Sequence, residues 1–169
     1  IIISILGYQR VDVKYFVILA FAGLFLWTLF EYIMHRFVFH YHPKTDFGKR
    51  IHFLAHGVHH DYPRDRTRLV MPLLVSLPLA IIHYFLFLLI FGFNYFSPIL
   101  AGYILGYVLY DTIHFATHHW KMTSTIGKFL KEYHLKHHYV NPDSAFGVSN
   151  PVWDFIFSTV KKKKKQKEN

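Results

Sequence analysis

Tyr15–Met34 reads YFVILAFAGLFLWTLFEYIM, twenty residues with one charge, Glu31, near the end. As a helix, this run is long enough to cross the roughly 30 Å hydrocarbon core of a bilayer. Two more such runs follow. Leu69–Gly92 is LVMPLLVSLPLAIIHYFLFLLIFG, and Tyr95–Thr117 is YFSPILAGYILGYVLYDTIHFAT. Pro72 and Pro78 in the second would weaken a soluble helix but are tolerated in membrane helices. Gly102 and Gly106 in the third have the spacing that permits close helix approach. Spans at about 15–34, 69–92 and 95–117 predict an all-α integral membrane protein, a helical transmembrane bundle. Residues 1–6, IIISIL, read as the stub of a preceding span. The uncharged Phe93–Pro98 reads as the turn between the second and third spans.

Working outward, charge sets an expected orientation. The net charge is +9, and the stretch 161–169 alone holds six lysines against one glutamate. A nucleic-acid partner is not expected, because the basic excess is a terminal run rather than a basic face of a folded domain. A lysine run beside a membrane segment instead suits anionic headgroups. If the second and third spans form a hairpin, residues 35–68 and 118–160 share one side with the lysine tail. Those two segments carry eleven lysines and arginines, while the far turn carries none. The positive-inside rule then makes the near side and the C-terminus cytoplasmic. The organisation expected is a membrane domain over 1–160 and a lysine-rich cytoplasmic tail over 161–169.

Thirteen of the fourteen histidines lie at the near ends of the spans or in the near-side segments. They form His35-x4-His40, His52-x3-His56-x2-His59-His60, His114-x3-His118-His119 and His134-x2-His137-His138. Steps of three and four place imidazoles on one helix face, and a step of five can reach the same point where a helix ends. Imidazole is a good ligand for iron and zinc. Eight to ten rings around one point suggest two metals. The chain has no cysteine, so thiolate sites and disulfide scaffolds are excluded. No Glu-x-x-His matches the soluble di-iron bundle, and no His-Glu-x-x-His matches a zincin. Asp111, three residues before His114, reads either as the acceptor that orients a ligand imidazole or as an interfacial group. Asp61, next to His60, reads as the same kind of acceptor or as a cap before Pro63. His83, inside the second run, reads as a hydrogen-bond partner between helices.

Three segments together resemble the fatty acid hydroxylase/sterol desaturase superfamily, and within it the fatty acid 2-hydroxylases. They are HFLAHGVHHDYPRDRTRLVMP (52–72), GYVLYDTIHFATHH (106–119) and FLKEYHLKHHYVNPDSAFGVSNPVWDFIFSTV (129–160). The likeness spans about 27–160. It implies a cytoplasmic histidine-rich helical cap holding a di-metal centre. The ten ligands it implies are His35, His40, His56, His59, His60, His114, His118, His134, His137 and His138. His52 and His119 are left as positions that support a ligand or face substrate. Tyr110, Tyr133, Tyr139, Asn141, Ser144, Asn150 and Trp153 are candidate substrate contacts.

The resemblance also implies the chemistry. The cofactor is two iron ions, with zinc able to occupy the same nitrogens, and O2 is the co-substrate. The reaction is hydroxylation of a fatty acid or sphingolipid acyl chain, with C2 favoured because the metals would lie near the headgroup level. The family's cytochrome b5 domain has no counterpart in these 169 residues. Electrons are therefore expected from a separate donor such as cytochrome b5 or a ferredoxin with its reductase. The expected membrane is the endoplasmic reticulum in a eukaryote or the inner membrane in a bacterium. Three rivals are a sibling oxygenase acting on a sterol or carotenoid, a membrane metal transporter and a non-catalytic scaffold. The transporter would place its ligands near the bilayer midplane, whereas these histidines collect at one end.

Overall fold

The computed structural model describes residues 11–69 and 73–160, without the side chains of 73–75. The residue 1–6 stub, the 161–169 tail and Pro72 lie outside the described residues. Those described are helical wherever they are regular, with no strand among them.

Helix α1, Val13–Ile33, begins where the Asp12 side chain accepts the Lys14 N–H at 2.8 Å. Such a cap satisfies one of the first-turn donors that a helix leaves unpaired. The helix does not stop at Ile33 but widens into a π turn over Met34–Phe39. Next come α2 (Asp46–His52), a second π turn (Phe53–Gly57), α3 (Val58–Asp61) and a short 3-10 turn (Arg66–Arg68). Then follow α4 (Leu73–His119), α5 (Thr125–Tyr139) and α6 (Val152–Ile156).

Helix α4 is two helices in one unbroken run of residues. A straight helix would hold His83 and Tyr103 about 30 Å apart at 1.5 Å per residue. Their rings instead stack with centroids 5.3 Å apart, and Phe87 meets Tyr103 at 4.9 Å. The chain reverses at Gly92, whose φ of 68° and ψ of 169° suit glycine. The turn is therefore a single residue. Phe93–Pro98, read from the sequence as a turn, is already helical and opens the second arm. The described part of the first arm runs from Leu73.

Helix α1 lies against the second arm at backbone distance. A Cβ on Gly23 would come within 1.8 Å of the Ile99 carbonyl oxygen, and one on Gly102 within 1.8 Å of the Ala20 carbonyl oxygen. Gly106 admits the Trp27 ring in the same way. The Gly102/Gly106 spacing is thus used for close approach of the two helices. Below this contact Phe87, Phe96, Ile99, Leu100 and Tyr103 form the buried core. Gly102→Leu is expected to force α1 off the second arm, because the obstruction is backbone that cannot rotate away. The loss should be at least the ~1–3 kcal/mol typical of overpacking, read as a lower melting temperature in detergent. A variant melting with the parent would contradict this packing.

Val13–Phe39 and Ser76–His119 are long and apolar enough to cross a membrane. Large apolar side chains stand outward along both, including Phe21, Phe25, Phe85, Leu89 and Ile90. The histidine-bearing parts gather at the other end of the hairpin from Gly92.

Candidate metal centre

The two π turns solve a spacing problem. His35 and His40 are five residues apart, too far for one face of an α-helix. In the π turn the His40 N–H donates to the His35 carbonyl at 3.1 Å, so a five-residue step closes one turn. The two rings then meet with centroids 4.9 Å apart. The second π turn delivers His56 to the same place, where its ring lies 4.9 Å from that of His35. On α4 and α5 the ordinary four-residue step suffices, pairing His114 with His118 and His134 with His138.

The ten rings sort into two groups of five. His35, His40, His56, His60 and His137 form one, and His59, His114, His118, His134 and His138 form the other. Within each group one nitrogen per ring lies within 4.8 Å of all the others. Neighbours in sequence part company. His59 and His60 go to different groups, as do His137 and His138, because successive residues on a helix point about 100° apart. These two His-His pairs therefore each serve two centres, and α3 and α5 bridge them.

The spacing within each group suits a metal. The Nε2 atoms of His35 and His56 are 3.2 Å apart, and those of His56 and His60 are 3.0 Å apart. In the second group, His59–His114 and His118–His134 are both 2.9 Å apart and His134–His138 is 3.0 Å. Two nitrogens each about 2.1 Å from one ion and at right angles would sit about 3 Å apart. The donor set is all imidazole, which suits iron, zinc, copper or nickel. Burial favours the neutral, ligand-competent rings. It drives His40 and His59 down to about 2 and His60 to about 3, with neighbouring imidazoles adding to the effect. His56, His134 and His138 are pushed down for the same reasons.

A second layer holds the first group. His35 Nδ1 donates to the Phe146 carbonyl at 2.5 Å, and His137 Nδ1 donates to the Ser144 carbonyl at 2.8 Å. That loop is held by two buried carboxyl groups. Asp154 accepts from the N–H groups of Phe146 at 2.9 Å and Gly147 at 2.7 Å. Glu31 accepts from the N–H groups of Val148 at 2.9 Å and Ser149 at 2.8 Å, and from the Ser149 hydroxyl. The sequence marked Glu31 only as the one charge in a span. A lone carboxyl in an apolar run needs a buried partner, and that was the available signal.

The remaining sequence candidates fall elsewhere. His52 donates from Nε2 to the Phe39 carbonyl at 2.5 Å, tying α2 to the first π turn outside both groups. His119 packs on Phe115 and keeps a buried Nε2 without a partner among the described residues. Asp61 is exposed and outside both groups. His42 pairs with Asp143 at 3.4 Å on the surface. His83 donates to Leu79 of its own helix at 2.7 Å and meets the neighbouring helices through its ring faces, not by a hydrogen bond.

A cavity of about 490 Å³ reaches the centre. His56 of one group and His59 and His114 of the other stand in its wall. The wall also holds Tyr110, whose ring lies 5.6 Å from that of His114, together with Arg68, Asp111, Phe30, Leu79, Leu100 and Ile104. Of the seven candidate substrate contacts, Tyr110 alone among the described residues lies on this wall. Ser144 supplies the carbonyl to His137, and Asn141 accepts the Asp143 N–H at 3.3 Å. Asn150 accepts the Val152 N–H at 3.2 Å, and Trp153 donates to Thr28 at 3.0 Å. Tyr133 has a buried hydroxyl, and Tyr139 is exposed.

Comparison with known proteins agrees with this geometry. A family model described as fatty acid hydroxylase matches residues 20–159. The chain is 40% identical over 138 residues to a dihydroceramide fatty acyl 2-hydroxylase of Arabidopsis thaliana, covering 82% of this chain and 58% of the relative. It is 42% identical over 141 residues to a ceramide very long chain fatty acid hydroxylase of Saccharomyces cerevisiae, covering 82% of this chain and 36% of that one. Against the fatty acid 2-hydroxylase of Homo sapiens it is 38% identical over 143 residues, covering 82% and 38%. A solved structure described as full-length scs7p, with only the hydroxylase domain visible, superposes with a TM-score of 0.89 at 36% identity. That superposition covers 95% of this chain and 61% of the other. The chain thus spans between about a third and three fifths of these relatives' lengths.

Proposed function

The chain belongs to the fatty acid hydroxylase family, and from that premise we propose that it hydroxylates the acyl chain of a fatty acid or sphingolipid at C2, using O2. The observation that carries this reading is the meeting of two imidazole groups with one long, mainly apolar cavity. A cavity of this size lies in the range that encloses most of a small ligand's surface. When bound, two iron ions supply the O2 chemistry that breaks an unactivated C–H bond, which acid–base side chains cannot do.

The chain's own residues do the rest. The ten histidines hold the ions, one group of five each. Leu79, Leu100 and Ile104 receive the hydrocarbon, and their apolar walls keep water from the reacting carbon. Tyr110 and Asp111 stand on the cavity wall within about one turn of His114, and Arg68 shares that wall, which supports placing the polar headgroup there and the tail at the far end. With the headgroup beside His56, His59 and His114, the carbons nearest it are the ones presented, which favours C2.

The outward apolar side chains of α1 and α4 support a membrane-spanning domain over 1–160. The basic segments, with the 161–169 tail, support a cytoplasmic centre and C-terminus. Electrons come from a cytochrome b5 or a ferredoxin with its reductase, on a separate chain or on a part of a longer protein outside these 169 residues. The membrane is the endoplasmic reticulum of a eukaryote or the inner membrane of a bacterium.

Mass spectrometry of lipids from cells expressing the chain tests this. An acyl species one oxygen atom heavier, with fragmentation placing the hydroxyl at C2, is expected with the parent and not with His137→Ala. An unchanged lipid profile from metal-loaded protein given electrons would overturn the proposal. A modified sterol or carotenoid would reassign the substrate.

A further inference from the structure

The two histidine groups are supported differently. In the first group the outer nitrogens of His35 and His137 both donate to carbonyls of one loop, at Phe146 and Ser144. In the second group the outer Nδ1 atoms of His59, His114, His134 and His138 are buried without a partner among the described residues. The difference bears directly on ligation. A ring that gives Nε2 to a metal must carry its proton on Nδ1. In His35 and His137 that proton already has an acceptor, which fixes the tautomer and the ring angle. In the second group the same tautomer leaves buried N–H groups unpaired, which is unfavourable.

The loop that makes the difference is itself held from outside the histidine set. Glu31 sits one helical turn before His35 and is 4% exposed. It takes both backbone N–H groups of Val148 and Ser149 and the Ser149 hydroxyl. Asp154, fully buried, takes those of Phe146 and Gly147. A Cβ on Gly147 would lie 2.0 Å from the Asn150 carbonyl oxygen, so the loop can close this tightly only with glycine there. Ala145, between the two accepting carbonyls, is held at a left-handed φ of 61°. Such a conformation persists only where the surroundings enforce it.

We infer that the two metal ions are held unequally, with the ion of the His35, His40, His56, His60 and His137 group the tighter, and that Glu31 is a positioning residue for that ion alone. Glu31 acts through the Ser144–Asn150 loop on His35 and His137 and does not itself ligate. This rests on the metal-centre reading above and adds to it the order of affinity and the residue that sets it.

Zinc(II)-loaded full-length chain in detergent, dialysed against rising concentrations of a chelator, reads both ions by elemental analysis. The parent is expected to lose zinc in two steps, through a plateau at one ion per chain. Glu31→Gln should move the tighter step ten- to a hundredfold lower in chelator, the range for residues that orient a ligand, and leave the weaker step in place. His118→Ala should abolish the weaker step and leave the tighter one. Should Glu31→Gln fail to fold, Ser149→Ala, which removes one donor to the carboxyl, should shift the same step in the same direction by less. Release of both ions in a single step, or an equal shift of both steps, would overturn the inference. So would a tighter step unmoved in folded Glu31→Gln and in Ser149→Ala. A parent chain that retains no zinc before chelator is added would instead overturn the metal-centre reading itself.

Discussion

Alanine at His59 and alanine at His60 are expected to abolish turnover alike while removing different metal ions. The two residues are neighbours, yet His59 points among His114, His118, His134 and His138, and His60 among His35, His40, His56 and His137. Each substitution takes one of five nitrogens from one centre and leaves the other complete. Removing a residue that merely orients a ligand costs about ten- to a hundredfold, so removing a ligand should cost at least a hundredfold in turnover. On the proposed reading, O2 reduction and attack on a C–H bond use both ions, so neither variant should retain useful rate. Metal content separates them. Each should fall from two ions per chain toward one, and a spectroscopic probe of the remaining site should differ between the two. Identical spectra and metal content would mean that the pair serves one centre and that the division into two groups of five is wrong.

That division is also where the sequence stopped being legible. The four clusters announce themselves, because His-x2-His-His and His-x3-His-His recur near the ends of apolar runs. The set of ten could be named from the resemblance, and the structure brings those ten together and leaves His52 and His119 out of both groups. Which ring goes to which centre could not be read, since adjacent histidines diverge and the partners of each come from three of the four segments. The five-residue step from His35 to His40 was read as able to reach one point where a helix ends, but the π turn that closes it is invisible to a 3.6-residue pattern. Glu31 was legible in part, as a charge misplaced in an apolar run. Its partners, Val148 and Ser149, lie more than a hundred residues away. The turn between the spans shows the opposite error. Asn94, Ser97 and Pro98 look like turn chemistry, but Pro78 and Pro98 both stand inside helical arms. Membrane helices can re-satisfy the carbonyl that proline leaves free, and one glycine at position 92 reverses the chain.

Tryptophan at Leu79 is expected to cut turnover of long acyl chains at least tenfold while leaving both metal ions in place. Leu79 lines the cavity on the first arm of α4, away from the histidine groups, and its backbone carbonyl already anchors His83. Farther along the wall His83 stacks on Tyr103, with Phe87 packed against Tyr103. That aromatic cluster cannot yield, because it is also the packed core that joins the two arms. An indole at position 79 therefore removes room from the tail end of the cavity only. If the headgroup lies at the Arg68 and Asp111 end, a long chain can reach C2 only when its tail fits beyond Leu79. A shorter chain needs less of that space. The ratio of long-chain to short-chain product, measured with a mixture of acyl lengths, should fall at least tenfold, and metal content should match the parent. A uniform loss across all lengths would indicate that the tail does not lie toward these rings. An unchanged ratio at full activity would mean that the acyl chain lies outside this cavity. The selective outcome is the one that a chain threaded headgroup-up against His56, His59 and His114 requires, because only then does the distance from the metals to these rings act as a ruler.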